Sequence, residues 1–84
     1  MTPPPRRLTL VGKPDCHLCH ELRAVVATVA GDDAVVEVDL RDDPDLERRY
    51  LFEIPVLLWG DAEVVRHRAT PGELRARLRA LGWT

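Results

Sequence analysis

A chain of 84 residues, 45% apolar and with a formal charge of −2, is sized for one small domain around a single core. That charge balance is not the strongly basic one of a nucleic-acid binder, and no run of about 18 apolar residues is present to span a membrane. Neither partner is therefore expected. Charge is nonetheless segregated. Asp32, Asp33, Glu37, Asp39, Asp42, Asp43, Asp45 and Glu47 make the middle acidic, and Arg66, Arg68, Arg75, Arg77 and Arg79 make the C-terminal part basic. Two solvated faces are the ordinary outcome of such a pattern.

The N-terminus, MTPPPRRLTLVGK, carries prolines where a secretory signal would carry its apolar stretch. Residues 1–6 are expected as a flexible lead-in, residues 7–84 as the domain, and the cytoplasm as its location. Arg7 to Val11 alternates and ends at Gly12 and Pro14, which predicts a first strand. From Cys16 to Ala30 the apolar residues Leu18, Leu22, Val25, Val26 and Val29 follow helical spacing, with Asp15 placed to cap the helix and Gly31 to close it. Ala34 to Leu40 reads as a second strand, with Val36, Val38 and Leu40 on one face and Val35 on the other.

Pro44 suits the first position of a short helix running to Tyr50. Ile54 to Trp59 is a compact apolar run suited to a buried third strand, and Gly60-Asp61 turns it into a fourth, Ala62 to Arg66. Thr70-Pro71-Gly72-Glu73 is the strongest helix start in the chain. Thr70 can cap, Pro71 fits the first turn, and Glu73 stands three residues after the cap. Leu74, Leu78 and Leu81 then form one apolar stripe. The order β-α-β, short helix, β-β-α implies a parallel pair with a right-handed crossover joined to an antiparallel hairpin.

The chain has two cysteines, Cys16 and Cys19. In a reducing compartment such a Cys-x-x-Cys pair reads as redox or metal chemistry. The pair falls where the first strand gives way to the first helix. Unpaired N–H groups and the helix dipole there favour thiolate over thiol, most strongly at Cys16. Lys13 and protonated His17 add positive charge nearby. Cys16 is thus the candidate attacking sulfur, and Cys19, one turn further in, the resolving one.

KPDCHLC after a strand, with IPV opening a later one, resembles the glutaredoxin-like branch of the thioredoxin superfamily, from Leu8 to Leu81 in element order. The resemblance implies an α/β thioredoxin-like fold, a four-stranded mixed sheet with helices on both faces. It implies a cis peptide at Pro55 beside the dithiol, and a substrate groove in which the Ile54 backbone pairs with bound peptide or glutathione. Lys13 matches the family's basic residue ahead of the motif. Leu18 stands where glutathione-using members commonly carry an aromatic residue, and HRATPGE replaces their Gly-Gly-acid segment. In it, Thr70 and the N–H groups after it are left as a carboxylate site. The implied activity is thiol–disulfide exchange with a protein disulfide or a glutathione mixed disulfide. A reductase partner and glutathione as co-substrate are both allowed, no bound organic cofactor is required, and a monomer is expected.

Other readings of CHLCH compete. Covalent haem fits the five residues, but Met1 is the sole methionine, so no internal methionine offers a second axial ligand. Structural zinc needs four ligands, and neither His17, His20 nor the isolated His67 completes a set, so no intramolecular metal site is expected. His20 and His67 read as surface residues. A metal or iron–sulfur cluster shared between chains, or a binding module with incidental cysteines, are the alternatives to oxidoreductase turnover.

Overall fold

The computed structural model describes residues 6–83. Of the lead-in expected over residues 1–6, residues 1–5 lie outside them. Arg6 itself accepts a hydrogen bond from the Trp83 indole N–H at 2.8 Å, and its guanidinium lies 4.8 Å from the centre of the same ring.

The elements are β1 (Leu8–Gly12), α1 (His17–Ala30), β2 (Val35–Asp39), α2 (Pro44–Tyr50), β3 (Val56–Trp59), β4 (Ala62–Arg66) and α3 (Pro71–Leu81). They build a four-stranded sheet in the order β2-β1-β3-β4. β1 runs parallel to β2, with Leu8 opposite Val35, because α1 carries the chain back across the sheet. β1 is antiparallel to β3 through Leu10↔Leu57 and Val11↔Val56, and β3 is antiparallel to β4. Gly60 makes the tight turn between the last two strands at φ 60°, a conformation that costs glycine no steric clash.

Several boundaries move by a residue or two, each for a local reason. Cys16, rather than Asp15, is the N-cap of α1, since its own sulfur accepts the Cys19 N–H. β2 is trimmed at both ends by short 3-10 turns, Asp32–Ala34 before it and Leu40–Asp42 after it. β3 starts at Val56 and not at Ile54. The Ile54–Pro55 peptide is cis and proline has no N–H to give the ladder, so pairing begins one residue later. Asp43 caps α2 through the N–H groups of Asp45 and Leu46, and Thr70 and Glu73 form a reciprocal capping box on α3.

Alternation along the two central strands divides the core. Leu8, Leu10, Leu57 and Val64 pack with Leu22 and Val26 of α1 and with Leu74 and Leu78 of α3. Val11, Val56 and Leu58 pack with Leu40, and Leu46 and Tyr50 of α2 close over them. Helices therefore cover both faces, as β1 requires: a strand apolar on both sides must be buried on both. This is the thioredoxin-like arrangement.

The end of β1 sets the position of the cysteines. Gly12 follows the buried Val11, and a Cβ built on Gly12 would lie 2.7 Å from the Cys19 sulfur and 3.2 Å from its Cβ. The missing side chain is the space the sulfur occupies. Gly12→Ala is accordingly expected to destabilise the domain by about 1–3 kcal/mol. Much of that loss should return when Cys19→Ala is added, a coupling read from denaturant titrations of the two single variants and the double. In the core, Leu74→Ala should cost about 2–5 kcal/mol, against less than about 0.5 kcal/mol for the exposed neighbour Arg75→Ala. Denaturant midpoints at unchanged slope check both values.

Candidate active site

Cys16 and Cys19 are joined as a disulfide, with their Cα atoms 5.2 Å apart. The two sulfurs occupy different surroundings. Cys16 is half-buried in extended backbone just ahead of the helix. Its N–H donates to the Lys13 carbonyl at 3.3 Å, and its sulfur accepts the Cys19 N–H at 3.2 Å. Cys19 is 7% exposed and lies against Gly12. A sulfur that accepts a helix-terminal N–H is held where negative charge is favoured. No acidic side chain lies in the first turn of α1 to oppose that field.

His17 opens the helix and points outward. Its Nε2 sits 3.3 Å from Glu21 Oε1 on the next turn, with 87% of its side chain exposed. The ring and the carboxylate thus stand one turn apart on the same outward face of α1, beside Cys16. Lys13 lies in the loop ahead of the cysteines, and its charge registers at Asp39. Hydrogen bonds from the Arg41 side chain and backbone hold the Asp39 carboxyl below the usual carboxylate range, and Lys13 adds a smaller pull in the same direction.

The cis Ile54–Pro55 peptide comes to the same end of the sheet. Since Val56 pairs with Val11, the residues before Val56 run alongside those after Val11, which lead into the dithiol loop. Pro55 is fully buried and its carbonyl accepts the His67 N–H at 2.7 Å. His67 adopts φ 64°, and its Nε2 lies 3.5 Å from Glu53. Arg66 also donates to Glu53, at 2.7 Å, and pairs with Glu63, and these carboxylates raise its pKa. His67 and Glu53 thus grip the residues on either side of Ile54. Nothing in the sequence pattern marks them, because a non-glycine residue at positive φ has no composition signal.

Thr70 lines a groove of about 500 Å³ between α1 and the segment entering α3, together with Leu22, Val25, His67, Arg68 and Glu73. Its N–H donates to Glu73 Oε1 at 3.2 Å and its hydroxyl accepts the Glu73 N–H at 3.1 Å. The carboxylate over this helix end is the chain's own. A second cavity, of about 280 Å³, lies toward β2 and is lined by Gly12, Lys13, Cys19, His20, Glu37 and Asp39 among others. His20 therefore stands beside the dithiol in space as well as in sequence. Among the described residues, no group of three or more His, Cys, Asp or Glu side chains is placed to hold a metal ion, and no helix is long and apolar enough to cross a membrane.

No curated protein matches the chain. Among solved structures, the X-ray structure of Northeast Structural Genomics target protein XcR50 from X. campestris is similar at a TM-score of 0.75 and 34% identity, over 87% of this chain and 96% of that one. The family model described as glutaredoxin-like domain (DUF836) matches residues 7–79, which include both cysteines, the cis proline and most of α3. With a strand–dithiol–helix unit beside a proline-led strand, the chain belongs to the glutaredoxin-like domain family.

Proposed function

We propose that this domain is a thiol–disulfide oxidoreductase in which Cys16 attacks and Cys19 resolves. The observation that carries the reading is the asymmetry of the pair. Cys16 is the more accessible sulfur and accepts a helix-terminal N–H, whereas Cys19 is packed behind it. In the reduced protein the Cys16 thiolate attacks one sulfur of a substrate disulfide, and the other sulfur leaves as thiolate. Cys19, as thiolate, then attacks the Cys16 sulfur. The protein disulfide forms, the mixed disulfide breaks, and the substrate leaves reduced. A two-electron thiol donor restores the dithiol.

Lys13 and His17 tune Cys16 in this scheme, Lys13 from the loop ahead of it and His17 from the first position of α1. The Ile54–Pro55 segment, braced by His67 and Glu53, forms the substrate edge, and Thr70 lies in the wall of the adjoining groove. The substrate is a disulfide-containing protein or a glutathione mixed disulfide, handled by a monomer in the cytoplasm. Electrons pass through sulfur alone, so the exchange needs no bound organic cofactor.

Reduction of a small mixed disulfide separates the two roles. Cys16→Ser should reduce turnover to background. Cys19→Ser should retain the first step and accumulate a mixed disulfide on Cys16, visible as an adduct by mass spectrometry. Equal activity in wild type and both variants would end the assignment.

A further inference from the structure

The cavity on the β2 side of the dithiol is unused by the scheme above, yet Cys19 forms part of its wall. The second half-reaction requires something that the first does not. Cys16 meets its substrate at the helix tip, but Cys19 is 7% exposed, and burial disfavours the thiolate that must attack. A proton acceptor near Cys19 would remove that barrier. The cavity holds three basic candidates: His20 of α1 and the carboxylates Glu37 and Asp39 of β2.

Chemistry distinguishes them. An ordinary carboxylate lies about four pKa units below an ordinary thiol, and an ordinary imidazole only about two below it. Asp39 is weaker still, since Arg41 holds it ionised. Glu37 is largely in solvent, 63% exposed, with Arg23 3.8 Å away. His20 is different. Its Nε2 lies 2.6 Å from the Pro14 carbonyl oxygen, which can only accept. The neutral ring must therefore carry its proton on Nε2, which leaves the basic lone pair on Nδ1. The tether also fixes the ring at the cavity. With a volume of about 280 Å³, against about 30 Å³ for one water in the liquid, the cavity that Cys19 and His20 both line has room for water.

We propose that His20 is the proton acceptor for Cys19 in the resolving step, an inference that rests on the oxidoreductase reading. The Cys19 S–H proton passes to His20 Nδ1, directly or through a cavity water. The Cys19 thiolate attacks the Cys16 sulfur, the protein disulfide forms, and the bond between Cys16 and the substrate sulfur breaks. The substrate thiolate departs with the electron pair, and the imidazolium returns its proton to that thiolate or to solvent. The charged groups that share the cavity with His20 are Lys13 of the loop and Glu37 and Asp39 of β2, with Arg41 bound to Asp39.

The test mixes reduced protein with dithiobis(nitrobenzoate) in a stopped-flow instrument. One equivalent of coloured thiolate leaves as Cys16 attacks, and a second as Cys19 resolves. His20→Gln, whose amide can still donate to Pro14, should leave the first release within about two-fold and slow the second by about ten-fold or more at neutral pH. The gap should narrow as the pH rises through and above the ordinary thiol range, where hydroxide takes over the deprotonation of Cys19. In His20→Ala, added imidazole should restore the second release in proportion to its concentration, which a merely structural role would not produce. A second release unchanged in both His20 variants, or slowed by Glu37→Gln instead, overturns the proposal. No first release in the wild type removes the oxidoreductase reading and this role with it.

Discussion

Because Gly12 has no side chain, the Cys19 sulfur comes down onto the end of β1, and the rest of the site follows from that contact. It brings the start of α1 close to the sheet, so the dithiol sits at the sheet's edge and not out on a loop. It also hides one sulfur and leaves the other at the N-cap, where the Cys19 N–H reaches it at 3.2 Å. The two cysteines are chemically equivalent in the sequence. One absent Cβ and one helix terminus make them unequal in the fold.

The segregated charges resolve into local pairs. Arg23 of α1 reaches Asp32 at 2.8 Å, Arg41 grips Asp39 at 2.7 Å, and Arg66 joins Glu53 and Glu63. Exposed pairs of this kind contribute little to stability. Their value here is positional: Arg66 and His67 both meet Glu53, which holds the approach to the cis proline, and Arg41 keeps Asp39 ionised beside the cavity. The core, by contrast, is divided between two faces by simple alternation along β1 and β3.

Where local rules suffice, the chain could be read in advance. The Thr70–Glu73 box, Pro44 at the head of α2 and the Gly60-Asp61 turn are each decided by neighbours within four residues, and each stands where the pattern puts it. Cys-x-x-Cys at a strand–helix junction was legible for the same reason. What escaped depends on distant residues. His67 becomes part of the site only because Pro55, at the head of the neighbouring strand, offers it a carbonyl. His20 gains a neighbour in β2 only once the crossover places that strand beside β1. Short-range signals specify elements, and the meeting of elements specifies the site.

The bond from the Trp83 indole to the Arg6 carbonyl fastens together positions 77 residues apart in the chain. Arg6 enters β1 at the end opposite Gly12, and a five-residue strand spans about 16 Å. Arg6 and Trp83, where the described residues begin and end, consequently lie on the side of the sheet remote from the sulfurs. A fluorescent label carried at either of these two positions stands about a strand's length from the reactive tip.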